Sequence, residues 1–194
     1  SGTNHDGWRL KTPSENIVIR GCTVVSGHNL VAIGSELSGG VRNVHVRDCR
    51  FEAAKAIKPP FNVLYIKTNR RRGGFVENVS VERIDASESK FRMSVFGIET
   101  DVLYQWRSLV PCYEERLTPI HGIVVRDVRA GVTTTPFRIL GDKDQPVKDV
   151  LVENIEIGSV RGQRNRIENA LDVKMNHIRI TKFTEEPDEE NTNR

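Results

Sequence analysis

Aromatic residues make up only 6% of this 194-residue chain, and there are just 3 cysteines, 2 methionines and 2 tryptophans. So few cysteines cannot build a disulfide framework, and nothing in the chain has metal-ligand spacing. Charge of one sign is also missing. The 29 Lys and Arg against 26 Asp and Glu leave a net charge of +3, too small to argue for nucleic acid or a membrane surface. No apolar run is long enough to span a bilayer, and no signal peptide opens the chain. The single basic cluster, Arg70-Arg71-Arg72, has only Phe75 near it. Without interleaved aromatics it is no platform for single-stranded nucleic acid, and it reads as a solvated turn. Helical periodicity of convincing length is lacking as well. The length suits one domain with an extended core.

What the chain does have is a short apolar signature that recurs six times. It reads Ile17-Val18-Ile19 with Cys22, Val44-His45-Val46 with Cys49, and Val79-Ser80-Val81 with Ile84. It continues as Ile123-Val124-Val125 with Val128, Val150-Leu151-Val152 with Ile155, and Ile178-Arg179-Ile180 with Phe183. Alternation over three residues marks a strand with one buried face, and the fixed offset to the next apolar residue marks a corner turned the same way each time. The copies start 27, 35, 44, 27 and 28 residues apart, the range of stacked solenoid coils. One coil cannot bury its own apolar face, so the copies must stack. Cys22 and Cys49 fall on the corner position and read as small buried hydrophobes. Asn16, Asn43 and Asn78 each precede a signature strand, where a stacked side-chain ladder would satisfy them.

Between the signatures lies a second strand set: Val31–Gly34, Leu64–Lys67, Phe96–Glu99, Phe137–Leu140 and Leu171–Lys174. Burying the first and third residue of each turns the second and fourth outward. Ala32 and Gly34, Tyr65 and Lys67, Gly97 and Glu99, Arg138 and Leu140, and Asp172 and Lys174 then share one surface that is polar, charged and partly stripped of bulk. The expected architecture is all-β, a parallel β-helix, with coils over residues 1–183, an inserted loop over 101–118 and an acidic tail over 184–194 expected to be disordered. The loop carries Tyr104, Trp106 and Tyr113 and reads equally as a groove wall or as packing on the solenoid flank. The chain opens without methionine, in mid-pattern. A solenoid truncated at its N-terminal end is expected from this, and the missing signal peptide then says nothing of export.

Three segments taken together carry a family likeness. They are Pro13–Arg20, Gly27-His28 followed by Ile33–Gly40, and Tyr65–Asn69 followed by Arg71–Asn78. Their order resembles the polygalacturonases of glycoside hydrolase family 28, most of all exo-acting bacterial-type members, and the likeness runs on through Val102–Trp106 and Pro136–Lys143. The resemblance implies a right-handed parallel β-helix that hydrolyses α-1,4-galacturonosyl linkages with inversion and needs no cofactor or metal. Inversion takes one carboxylic acid and one carboxylate base flanking the bond. The family has two aspartate motifs, a Gly-His-Gly and an Arg-Ile-Lys along one sheet. Gly27-His28 matches the third motif, with Asn29 replacing its last glycine, and Tyr65-Ile66-Lys67 matches the fourth, with Tyr65 replacing arginine.

By that resemblance His28 is the catalytic-site residue that hydrogen-bonds the carboxylate network or the substrate. Tyr65 and Lys67 are the substrate-binding residues, Lys67 for a uronate carboxylate and Tyr65 for a sugar face. A surface ion pair between Lys67 and Glu99 is the competing reading. Asn4-His5-Asp6-Gly7 does not qualify as an aspartate motif, because it sits too close before His28 and Arg9 stands where a second aspartate is needed. The catalytic aspartates are therefore expected outside this chain. The expected partner is pectin-type polysaccharide, acted on by a secreted or periplasmic monomer that binds neither nucleic acid nor membrane. The alternative is a non-catalytic β-helix module that holds acidic polysaccharide.

Overall fold

The computed structural model describes residues 4–52, 58–102 and 114–184. A short helix α1 (Asn4–Leu10) precedes twelve strands. They are β1 (Ser14–Arg20), β2 (Thr23–Val24), β3 (Asn29–Ile33), β4 (Val41–Phe51), β5 (Asn62–Lys67), β6 (Val76–Lys90), β7 (Ser94–Glu99), β8 (Ile120–Thr133), β9 (Thr135–Leu140), β10 (Val147–Arg161), β11 (Arg166–Glu168) and β12 (Ala170–Thr184). The strands form two parallel sheets. The seven-stranded sheet runs β1-β4-β6-β8-β10-β12, with β2 also on β4, and the five-stranded sheet runs β3-β5-β7-β9-β11. Each coil gives one strand to each sheet, which makes the chain a parallel β-helix.

Stacking puts like on like. Val44, Val79, Ile123 and Val150 are register partners in successive coils, as are Val46, Val81, Val125 and Val152. All of them are buried. The facing sheet contributes Leu64, Phe96 and Phe137 in one column and Ile66, Ile98 and Ile139 in the next. Each such side chain stabilises the fold by about 1.5–3 kcal/mol through burial. Branched side chains also suit the pleated surface they stack on.

The long strands bend at two left-handed positions. Asn16, Asn43, Asn78, Gly122, Asp149 and Asp172 form one column, and Gly21, Asp48, Arg83, Asp127, Asn154 and His177 the other, all with φ between 52° and 66°. Glycine, asparagine and aspartate adopt that conformation at least cost, so residue type marks nearly every corner. The asparagine ladder is present: Asn43 donates to Asn16 at 2.9 Å and Asn78 donates to Asn43 at 2.8 Å.

Three expectations are corrected. First, β12 pairs Val173 with Val150 and Ile178 with Ile155, so the last signature copy is Val173-Lys174-Met175 with Ile178, not Ile178-Arg179-Ile180 with Phe183. Leu171–Lys174 therefore belongs to the seven-stranded sheet, and β11 supplies the last strand of the other. The last coil is short, and two apolar triplets compete for one register. Second, Cys49 is buried but Cys22 is exposed, because no described strand covers the outer edge of β1; the inward-facing Ile17 and Ile19 are each 37% exposed.

The one short helix among the described residues leaves the all-β reading in place. At seven residues α1 is too short for a periodic signal, and it is held by contacts distant in sequence. Trp8 Nε1 donates to the Arg72 carbonyl at 2.8 Å, and the Arg116 guanidinium lies 4.2 Å over the indole. Third, the arginine run is not a solvated turn. Arg70 binds Glu115, Asp142 and Asp144, Arg71 is buried, and Arg72 pairs with Glu36 at 3.6 Å. These side chains tie neighbouring turns together. Tyr104, Trp106, Cys112, Tyr113 and the tail 185–194 lie outside the described residues.

Candidate functional site

The outer face of the five-stranded sheet carries the candidate site. On β5, Leu64 and Ile66 point into the core while Tyr65 and Lys67 are half-buried on the opposite side. They stand two residues apart on one strand, about 7 Å. On one side of Tyr65 its register partner is Ala32, and on the other Gly97. Gly97 leaves room for the ring: a Cβ there would lie 3.2 Å from Tyr65 Cδ2, 3.2 Å from Asn62 Nδ2 and 3.3 Å from Ser94 Oγ. Tyr65, Asn62 and Ser94 thus converge on a residue with no side chain. Gly34 is required for a different reason. Its φ is 92°, and a Cβ would fall 1.9 Å from the Lys67 carbonyl oxygen, so β3 can approach β5 here only as glycine.

Lys67 stands opposite Glu99 in register, and Glu99 is bound by Arg138 one strand further on, Nε to Oε1 at 2.8 Å. Arg166 and Glu168 continue the face on β11, paired at 2.6 Å. The Arg166 guanidinium is held above its ordinary pKa, first by the hydrogen bond to Glu168 and then by that carboxylate's charge, with a small contribution from Glu99. The two carboxylates on this face are therefore both engaged by arginines. Beneath it, the fully buried Asn62 donates to the carbonyl oxygen and hydroxyl of Ser94 at 3.1 and 2.7 Å. The side-chain oxygens of Asn62 and of its register partner Asn29 are buried without a hydrogen-bond partner among the described residues.

His28 is not in this group. It is exposed, immediately before the first residue of β3. Along the strand that places it about 13 Å from the level of Tyr65. Its ring meets the Phe61 ring edge-on at 5.5 Å, and its carbonyl accepts from the Phe61 N–H at 2.6 Å. Arg92 lies 5.0 Å over the other partner in this stack, Phe61. With Ser26, Gly27 and Lys58, His28 lines an open cleft of about 340 Å³. The sheet thus brings Tyr65 and Lys67 together and sets His28 at its edge. Sequence reasoning missed the Arg138–Glu99 pair and the Asn62–Ser94 support. Alternation had already turned Glu99 and Arg138 outward, so only the register was needed to pair them.

The opposite sheet has a groove of its own, about 600 Å³, at the second left-handed corner. It is lined by Asp127, Arg129, Asn154, Glu156, His177, Ile178 and Arg179. Its charges are largely spent between coils: Asn154 donates to Asp127 at 3.0 Å, and Arg129 pairs with Asp85 at 3.1 Å and Arg179 with Glu156 at 3.7 Å. Among the described residues no group of three His, Cys, Asp or Glu is placed to hold a metal ion. No helix among them is long and apolar enough to cross a membrane.

Fold and face together define a parallel β-helix protein with an aromatic and charged strip running across one sheet. The chain belongs to glycosyl hydrolases family 28, whose family model matches residues 3–179. It is 27% identical over 161 residues to a probable polygalacturonase of Vitis vinifera, a match covering 81% of this chain and 30% of that protein. Its fold is similar to the crystal structure of a hyperthermoactive exopolygalacturonase from Thermotoga maritima. The TM-score is 0.74 at 29% identity, over 92% of this chain and 37% of that one. The chain thus spans about a third of the length of these relatives.

Proposed function

We propose that this chain is the substrate-holding part of a pectin-degrading glycosidase that cleaves α-1,4-galacturonosyl linkages with inversion. The observation that carries the reading is the coincidence of a family match over residues 3–179 with an outward strip of Tyr65, Lys67, Glu99 and Arg138 on one sheet. Galacturonan is a chain of sugar rings each bearing a carboxylate. An aromatic ring offers a surface for a sugar face, and cations beside it complement the carboxylates.

In this reading Lys67 binds a substrate carboxylate and Tyr65 supports the ring that bears it. His28, at the head of the neighbouring strand, serves the carboxylate network that moves the protons. In this reading the two carboxylates that inversion needs come from outside this chain. Glu99 and Glu168 are each paired with an arginine, and neither is assigned the acid or the base role. The catalytic aspartates are assigned to the family's two aspartate motifs rather than to residues of this chain. The test is reducing-sugar release from polygalacturonate by the purified chain. No turnover is expected, and activity above a buffer blank that His28→Ala abolishes would overturn the assignment of roles. A protein joining this chain to both aspartate motifs is expected to hydrolyse the polymer. If that longer protein binds galacturonan but never cuts it, the non-catalytic binding module is the correct reading.

A further inference from the structure

The proposed substrate face holds a cation besides Lys67. Tyr65 pairs with Gly97, and Gly97 with Arg138, so these three residues form one row across β5, β7 and β9. Neighbouring strands lie about 4.8 Å apart, which puts the Tyr65 and Arg138 backbones about 10 Å apart with no side chain between them. The Tyr65 ring lies over Gly97. The row is thus an aromatic floor with a guanidinium at its far end, and Lys67 lies beside the floor two residues along β5.

Arg138 is also aimed. Its Nε donates to Glu99 at 2.8 Å, and both side chains are mostly shielded, at 27% and 17% exposure. That contact uses Nε alone. A guanidinium carries five N–H donors in a rigid fork, and the terminal pair matches a carboxylate in two parallel hydrogen bonds. A lysine in the same place would be a mobile point charge. Arg138 fixed by a carboxylate on one edge is therefore prepared to take a second carboxylate on another.

We propose that Arg138 is a second carboxylate-binding residue of this face, acting on the uronate chain seated over Tyr65 and Gly97, and that Glu99 is the positioning residue that holds its guanidinium there. The proposal rests on reading this face as the substrate site. It adds a specificity element to that site, since a neutral glycan offers Arg138 no charge to pair with.

The test is calorimetric titration of the 194-residue chain with de-esterified trigalacturonate and with its methyl ester. Arg138→Gln is expected to weaken binding of the acid about tenfold or more and to leave binding of the ester unchanged. Arg138→Lys should recover only part of the loss. Glu99→Gln, whose amide oxygen can still accept from Nε, should cost less than Arg138→Gln. The double variant Glu99→Gln/Arg138→Gln removes both members of the ion pair together, so it keeps the fold comparable and should bind as weakly as Arg138→Gln. If the double variant binds like the unaltered chain, the single loss was structural and the proposal is wrong. If Lys67→Ala weakens binding and Arg138→Gln does not, the site reading stands and Arg138 is only a partner for Glu99. If the unaltered chain does not bind the trimer at millimolar concentration, the site reading fails and the proposal with it.

Discussion

Replacing Asn43 separates the two physical reasons for its place in the coil. Its backbone is left-handed, with φ of 54°, and its amide is the middle rung of the ladder between Asn16 and Asn78. Both bonds are partly solvated, so each contributes at the low end of the net range, about 0.5 kcal/mol. Asn43→Asp keeps a residue that tolerates this conformation and can still accept from Asn78, but it cannot donate to Asn16. It should cost about 0.5 kcal/mol. Asn43→Gly loses both bonds, about 1 kcal/mol, and another 0.5–1 kcal/mol through the looser unfolded chain. Asn43→Ala loses the same bonds and adds about 1–2 kcal/mol of left-handed strain. Urea unfolding followed by circular dichroism should rank the variants Asn, Asp, Gly, Ala in falling midpoint with unchanged slope. Alanine equal to or above glycine would refute the claim that backbone conformation selects this column. Aspartate as poor as alanine would refute the ladder's orientation.

Other outcomes follow from single contacts. In a longer protein carrying the aspartate motifs, Lys67→Ala should lower kcat/KM on galacturonate oligomers by one to two decades, a loss of about 1.5–3 kcal/mol, and by much less on the methyl ester. Equal losses on both substrates would make Lys67 structural. Asp85 is held below the ordinary carboxylate value of 3.8, mainly by the Ser87 hydroxyl. Its stabilising effect is present above 3.8 and is lost as pH falls through the lower folded value, so Asp85→Asn should flatten the acid limb of a stability-pH profile below that point. An unchanged acid limb would show that Asp85 plays no part in it. Trp8→Ala removes both the hydrogen bond to Arg72 and the ring under Arg116, and should lower unfolding stability by about 1–2 kcal/mol. Trp8→Phe, which keeps the ring, should recover about half of the loss, and an equal loss in both would assign the contact to the indole N–H alone.

The coil was legible because its physics is local and repeated. Val44-His45-Val46 and its copies alternate with period two, and stacking multiplies the signal by the number of coils. The register of the last coil was not legible, because Val173–Met175 and Ile178–Ile180 have the same alternation and only pairing with β10 decides between them. Cys22 and Cys49 look identical in the pattern and differ only in whether a neighbouring strand covers them. The corner columns were half visible. Asn16, Asn43 and Asn78 announced themselves by type, whereas Arg83 and His177 reach the same conformation through their place in the stack. In the site, the outward placement of Tyr65 and Lys67 followed from alternation on one strand, and their role from the family resemblance. His28 at the sheet edge followed from its place just before a strand, whereas the Arg138–Glu99 pair depends on inter-coil register, which no single segment of the sequence encodes.

The central claim is that the outer face of the five-stranded sheet holds a uronate chain. The most direct test is residue-by-residue NMR titration of the isotopically labelled chain with de-esterified trigalacturonate. Amide and side-chain shifts should concentrate on Tyr65, Lys67, Gly97, Glu99 and Arg138, and should largely vanish with the methyl ester. Shifts confined to the groove of Asp127, His177 and Arg179 on the other sheet, or equal responses to acid and ester, would contradict the account.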